Sequence, residues 1–226
     1  MIIQRFKMYS IIEEQKNFYI LRNKKKIKTP NQKYLYTKNY LHAKKIINDI
    51  QVKKNNEFSL LNLTLFSCNL TKIENTNILN NIISMLNYDN TLYRLSTTLN
   101  LNKEMDKKFN RYINEFSFKF KISFSFLDNI ISKQEKLDVK SFTEYLHSLD
   151  NFHITVLYKL SGITKSVILS YFFLNKRIFL KRLFELSNIE SIFQQKDWGL
   201  VDEQKKIDDN YFEALKNISN FFKNIS

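Results

Sequence analysis

Two hydrophobic patterns divide the chain. Short apolar runs bounded by turn residues occupy the first forty positions, whereas apolar residues at helical spacing dominate the second half. Runs of the first kind predict strands, and a recurrence every three or four residues predicts helices. We therefore predict an α+β fold, with a β-rich N-terminal domain over residues 1–97 and a mainly α-helical C-terminal domain over residues 98–226.

The N-terminal strands are predicted around a hairpin. Apolar runs at residues 18–21 and 27–29 flank Asn23-Lys24, which we interpret as a tight turn although it lacks glycine. Pro30 is the only proline and is expected to end the second strand. A further strand is predicted at residues 33–36, and helical spacing follows from Tyr40.

The most regular alternation in the chain lies between residues 116 and 126. Every second residue there is Phe or Ile, and the residues between them are Ser or Lys. A period of two is typical of a strand with one buried face, so we predict a strand over this segment, after a helix over residues 101–114. Its apolar face is expected to be covered, because an exposed edge of this kind aggregates.

Near the C-terminus, an apolar stripe at helical spacing runs through residues 183–193 toward Trp198 and Gly199. The chain has only two glycines, so Gly199 is predicted to end this helix in a left-handed cap. Glu190, Gln194 and Trp198 are four residues apart and would form one ridge of the helix. The alternative is a plain helix end with the tryptophan packed in the core. One more amphipathic helix is predicted from Ile207 to Phe222.

Composition limits the classes of function. Hydrophobic residues make up 43% of the chain, enough for a packed core, so global disorder is not expected. Lys and Arg number 36 against 22 Asp and Glu, a net charge of +14. The lysines are scattered and no nucleic-acid motif accompanies them, so specific nucleic-acid recognition is not expected. Net charge alone supports non-specific attraction, and a basic nucleic-acid-associated protein stays an alternative.

Catalytic signatures are absent from the sequence. The isolated Gly162 and Gly199 cannot form a phosphate-cradling loop. The three histidines share no ligand spacing with one another or with Cys68, the only cysteine. We therefore expect neither an enzyme nor a cofactor or metal site.

The sequence also bears on location. The most apolar segment, residues 167–174, is far shorter than the roughly 20 residues that cross a bilayer, so no membrane insertion is expected. The N-terminus shows no secretory apolar run. The expectation is a bacterial cytoplasmic protein, with the mitochondrial matrix as the alternative.

Several motifs resemble one family. The segment from Ile189 to Gly199 is similar to the signature Leu/Ile-Glu-x-x-Phe/Tyr-Gln-x-x-x-Trp-Gly of the chaperones that hold the α subunit of F-type ATP synthase. The acidic pair Asp202-Glu203 follows it, as acidic residues do in the family. Weaker matches occur in the same order as in the family, at Arg5-Phe6, in the hairpin 23–30, at Asp89, Tyr93 and Arg94, and at Lys165-Ser166. Lys24 and Lys165 stand where the family has glycine.

This resemblance implies an assembly chaperone (of the mitochondrial ATPase assembly factor 2 type) that binds the free α subunit and masks its β-subunit-facing surface. It implies partner-binding roles for Glu190, Gln194, Trp198, Gly199, Asp202 and Glu203. The free protein is expected to be a monomer. A scaffold for another client is the second alternative.

Overall fold

We describe the protein from a computed structural model, which covers residues 8–53, 56–95, 99–129, 131–199 and 201–225, with the backbone alone at Asp197 and Trp198. Arg5 and Phe6 therefore lie outside the described residues. The described strands are β1 (Tyr9–Glu14), β2 (Asn17–Arg22), β3 (Lys25–Lys26) and β4 (Tyr36–Thr37). The helices are α1 (Tyr40–Gln51), α2 (Leu60–Asn69), α3 (Lys72–Leu86), α4 (Leu99–Phe120), α5 (Lys140–Ser148), α6 (Asn151–Thr164), α7 (Val167–Leu174), α8 (Leu180–Ser187), α9 (Ile189–Trp198) and α10 (Asp202–Ile225), with a 3₁₀ helix at Asn90–Leu92.

The predicted α+β fold is confirmed. β2 is the central strand of an antiparallel sheet and pairs with β1, β3 and β4. The hairpin between β2 and β3 turns at Asn23 and Lys24, as predicted. Both residues have left-handed φ angles, 49° and 64°, which are the angles that a two-residue hairpin turn requires.

Lysine takes the place of glycine at several turns and helix ends. Nine non-glycine residues of the described chain have positive φ, and six of them are lysines. Among these six are Lys24 and Lys165, the positions where the similar family has glycine. Lys165 caps α6 with φ 53° and ψ 27°, the left-handed conformation. A side chain in this conformation costs about 1–2 kcal/mol, which glycine avoids, so these lysines hold the turns at some cost in stability.

The predicted strand over residues 116–126 is wrong. Helix α4 continues to Phe120, and the left-handed Lys121 ends it. Every second apolar residue of this alternation lies four residues from the next, as Phe116 and Phe120 do, and a spacing of four also places residues on one face of a helix. Phe116 and Phe120 are buried with Phe109 on one helix face, while Phe118 is 88% exposed. Helical packing of that face therefore overrides the strand pattern.

The last residues of the alternation form neither a helix nor a strand of the sheet. Residues 122–126 follow α4 in an irregular conformation. The buried Gln134 holds them, because its side-chain amide donates to the carbonyl of Ser125 and its oxygen accepts from the Ser125 N–H. Leu127 then forms a parallel bridge with Tyr93. The segment that follows α4 is therefore held by the Gln134 hydrogen bonds and by one bridge to the loop at Tyr93.

Helix α10 joins the two halves of the chain. Its buried residues Leu215, Ile218 and Phe221 belong to the same core cluster as Ile20 and Ile46 from the N-terminal half. The helix packs on α1 and α2 as well as on α6 and α8. The predicted boundary at residue 97 falls among residues 96–98, outside the described part, so the division into two domains stays a prediction.

Helix α7 is the most apolar element, and all its residues from Val167 to Leu174 are buried. With eight residues it is about 12 Å long, so it is a core helix. In the described part of the chain, no helix combines the length and apolar character needed to cross a membrane.

A buried histidine lies where α1, α2 and α10 meet. The Thr64 hydroxyl donates to the Leu60 carbonyl, so the His42 Nε2–H must donate to Thr64 at 3.0 Å. Nδ1 of His42 is then a lone-pair acceptor, and it is buried without a hydrogen-bond partner. Burial, together with the charge of Lys45, lowers the pKa of His42 to about 4. The core at this junction therefore requires a neutral imidazole.

The hairpin turn generates a stability prediction. We expect Lys24→Gly to raise the free energy of unfolding by about 0.5–1 kcal/mol, because relief of the left-handed conformation outweighs the backbone entropy of glycine. Lys25→Gly, one residue on and inside β3, is the matched control and should lower the free energy by a similar amount. Urea unfolding of both variants measures the difference. Equal destabilisation by both substitutions would contradict the account.

His42 generates a pH prediction. Between pH 6.5 and 4 the unfolded chain binds a proton that the folded state excludes, so stability falls as the pH falls through this window. The loss amounts to about 3 kcal/mol at 1.36 kcal/mol per pH unit. In His42→Gln this part of the acid destabilisation should disappear, whereas the exposed His147→Gln should keep it. Urea unfolding at pH 7, 5.5 and 4 measures the slopes, and parallel slopes for wild type and His42→Gln would contradict the prediction.

Candidate functional site

Helix α9 presents two of the predicted site residues at the mouth of a cleft. Glu190 and Gln194 are exposed, one turn apart, and line a cleft of about 260 Å³. Its apolar lining comes from α4, α7, α8 and α9, through Met105, Phe109, Leu169, Leu186 and Ile189. Its polar lining includes the side chains of Asn90, Asn188, Ser191 and Gln204. Two of the three residues of the predicted ridge thus border a cleft.

The carboxylate of Asp208 holds α9 against α10. Its two oxygens accept three amide hydrogen bonds, from Asn188 at 3.1 Å, Gln195 at 2.8 Å and Gln204 at 2.8 Å. Gln195 also donates to the Ser191 hydroxyl at 3.0 Å. Sequence reasoning missed this contact, because no spacing rule pairs residues from two helices separated by a turn. Asp208 therefore fixes the orientation in which α9 displays Glu190 and Gln194.

Gly199 ends α9 as predicted, but in a different conformation. Its φ of 79° is positive, whereas its ψ of 171° is extended rather than left-handed helical. This region is essentially restricted to glycine. Space is not the reason for glycine here, since no described atom lies within 4 Å of the position that a Cβ would take. Gly199 is thus required by backbone conformation.

The acidic pair Asp202 and Glu203 forms the first turn of α10. Both residues are exposed, and carboxylates in a first turn interact favourably with the positive end of the helix dipole. Among the described residues, none forms an ion pair with Asp202, Glu203 or Glu190. The side chain of Trp198 lies outside the described structure, so the choice between a surface ridge and a core position is open.

Asp89, one of the residues that match the family, is fully buried next to the cleft. One carboxylate oxygen accepts from the Ile168 N–H at 3.0 Å, and the other accepts from the N–H and hydroxyl of Thr91 at 3.0 and 2.8 Å. Burial raises the pKa of Asp89, while these donors and Ser166 act in the opposite direction. Because Ile168 lies in the first turn of α7, Asp89 ties the loop before α4 to that helix.

Arg94 is a second match, and it is partly buried. Its guanidinium donates to Asp106 at 2.8 Å and to the carbonyls of Thr91 and Tyr93 at 2.9 and 2.7 Å. It also stacks over the Phe126 ring, 4.6 Å from the centroid. These contacts lie within the protein, so the family pattern at Asp89 and Arg94 reflects fold rather than a binding surface.

The chemistry of the cleft is that of hydrogen bonding. The described residues that line it offer amides, hydroxyls and the carboxylate of Glu190, and none of them is a histidine, cysteine or lysine. Within the described ranges, no group of three or more His, Cys, Asp or Glu side chains is placed to hold a metal ion. The arrangement suits recognition of polar groups on a partner.

Sequence comparison gives no relatives: no protein-family profile matches the chain, and no curated protein matches it. Solved structures do match. Atp12 from Paracoccus denitrificans superposes with a TM-score of 0.82, covering 99% of this chain and 98% of that one at 17% identity, and a mutant of the same protein gives the same values.

A candidate chaperone from Agrobacterium tumefaciens also superposes with a TM-score of 0.82. The match covers 99% of this chain and 86% of that one, at 14% identity. At such identities the likeness concerns the fold. Over nearly its whole length, the chain therefore has the fold of Atp12.

Proposed function

We propose that the protein is an assembly chaperone that binds the free α subunit of F-type ATP synthase and shields its β-subunit-facing surface until the catalytic headpiece forms. The observation that carries the proposal is the fold, shared with Atp12 over 99% of the chain. The sequence motifs also resemble those of an α-subunit chaperone family, and this resemblance does not depend on the fold. Two independent comparisons thus support one function.

The geometry of the α9–α10 corner supports a binding role. Glu190 and Gln194 stand exposed on α9, Gly199 makes the turn, and Asp202 and Glu203 begin α10. Trp198 is the remaining member of the proposed site. None of the three carboxylates forms an ion pair with a described residue, so they can contact positive or hydrogen-bonding groups of a client. An exposed charged rim of this kind permits release as well as binding.

The proposed activity needs no chemistry. An unassembled subunit exposes apolar surface that promotes aggregation, and a partner that covers it in a one-to-one complex removes that hazard. The free chaperone would be a monomer without cofactor and would act by binding rather than catalysis. It would work where the α subunit is made or imported, in the bacterial cytoplasm or alternatively in the mitochondrial matrix.

A charge reversal tests the acidic contact. Tagged protein, co-expressed with the α subunit, should retain it in a pull-down, and Glu190→Lys should reduce retention about tenfold or more, as for a central interface residue. Folding should be unaffected, since Glu190 is exposed and makes no ion pair with a described residue. Thermal unfolding of the free variant checks this point.

Glu144→Lys is the matched control. Glu144 is an exposed glutamate on α5, so its reversal changes the net charge equally at a distant surface. Equal retention by wild type and Glu190→Lys would remove Glu190 from the site. If the wild type retains no α subunit but binds nucleic acid in a salt-sensitive manner, the nucleic-acid alternative replaces the proposal. If it retains a different subunit, the scaffold alternative is favoured.

The Asp208 contact gives a separate prediction. Asp208→Ala removes the acceptor of three amides and should lower the free energy of unfolding by about 1–3 kcal/mol. Because α9 then loses its fixed orientation, retention of the α subunit should also weaken at temperatures where the variant is folded. Asp209→Ala, at an exposed neighbouring position, is the control. Unchanged retention by a destabilised Asp208→Ala would show that the orientation of α9 is unimportant for binding.

A further inference from the structure

A second concave surface lies farther along α10, outside the acidic corner. A groove of about 680 Å³ opens between the α7–α8 connection and the C-terminal half of α10. Its walls are mostly apolar, formed by Phe173, Ile178, Phe179, Leu180, Phe212 and Phe222. Lys176, Lys181 and Lys223 stand around it, each from a different element.

Phe179 is poorly explained by folding. Its side chain is 79% exposed, although phenylalanine is usually buried. It also occupies the N-cap of α8, where Ser, Thr, Asp or Asn would accept a hydrogen bond from the first turn, and no such bond is present. The residue thus exposes an aromatic ring at a position where a small polar residue would stabilise the helix. Such a conflict with local preference is typical of functional positions.

The charge around the groove is one-sided. The described residues that line it include three lysines and no carboxylate. No described residue forms an ion pair with Lys176, Lys181 or Lys223, whereas the neighbouring Arg177 and Lys216 are paired with Glu115 and Glu213. The ammonium of Lys176 lies over the Phe222 ring, 5.8 Å from its centroid, but no described carboxylate pairs with the three lysines. Their positive charge would attract a negatively charged partner.

We propose that this groove receives a segment of the client subunit in which one or two large apolar side chains are flanked by carboxylates. The inference rests on the proposed function, because it names a surface by which the chaperone would hold its client. The apolar side chains would pack against Phe179, Phe212 and Phe222, and the carboxylates would meet the lysines. An amphipathic segment in a groove is a recurrent mode of recognition, and aromatic residues dominate its affinity.

The position of the groove fits a client that also touches the acidic corner. Gln204 lines the cleft of α9, and Lys223 borders the groove. Nineteen residues of one helix separate them, a distance of about 28 Å. A client lying along α10 would therefore meet carboxylates at one end and lysines at the other, which fixes its direction.

The test replaces the aromatic ring and one lysine at the start of α8. Phe179→Asp with Lys181→Glu should still fold, because aspartate caps a helix and glutamate suits a first turn. Its retention of co-expressed α subunit should fall about tenfold or more relative to wild type. The matched control is Lys72→Glu with Ile73→Asp, at the first turn of α3, where Ile73 is 76% exposed and the charge change is the same. The control should retain the subunit fully.

The outcomes separate this inference from the proposed function. If wild type and the groove variant retain the α subunit equally, the groove proposal is overturned and the chaperone function stands. If the wild type retains no α subunit, both fail. A photo-crosslinking amino acid at position 179 supplies the second measurement: attachment to a carboxylate-flanked apolar segment supports the proposal. Attachment to a segment without carboxylates, or occupation by a small amphiphile instead, overturns it.

Discussion

The position of α10 is the constraint on which the rest of the structure depends. The apolar face of this helix packs against α1, α2, α6 and α8, so it is bound to elements from both halves of the chain. At its C-terminal end, the Asn224 carbonyl accepts from the side chain of Asn39, and the ring of Phe221 meets His42 edge-on. At its other end, Asp208 holds α9. Both candidate surfaces lie along this helix, so their mutual geometry is set by the same packing that stabilises the core.

Secondary structure was predicted correctly where the apolar residues followed one repeat, and incorrectly where the repeats of a strand and a helix coincided. Helix α10 and the turn of the β2–β3 hairpin were predicted because each has a single pattern with recognisable ends, whereas the second strand of the hairpin, predicted at residues 27–29, lies at Lys25–Lys26. Residues 116–126 satisfied a period of two and, at every second apolar position, a period of four. Only the packing partners, such as Phe142 and Tyr171 against Phe116, decide between them. Those partners are more than twenty residues away in sequence, and a local pattern cannot include them.

The candidate site was predictable only in part. The spacing of Glu190 and Gln194 correctly placed both on one exposed ridge of α9, because that relation is local to a helix. The cleft beside them and the carboxylate of Asp208 depend on contacts between helices, for which the sequence holds no spacing rule. The family matches at Asp89 and Arg94 have partners within the protein. A resemblance in sequence therefore reports residues that fix the fold as readily as residues that touch a client.

Residues whose exposure or charge is not explained by contacts within the protein indicate a binding surface better than the family matches at Asp89 and Arg94 do. Buried apolar contacts and the Asp208 hydrogen bonds hold α10 against its neighbours. Glu190, Asp202 and Glu203 at one end carry charge without ion-pair partners in the described chain, and Phe179 at the other end is exposed where a helix cap would be favoured. The helix dipoles of α9 and α10 favour carboxylates in their first turns, and these three carboxylates remain available to a partner because no described residue pairs with them. A client segment bound along α10 as proposed would meet these carboxylates at one end and the lysines of the groove at the other, so one of its two orientations would be favoured more strongly than on an apolar surface alone.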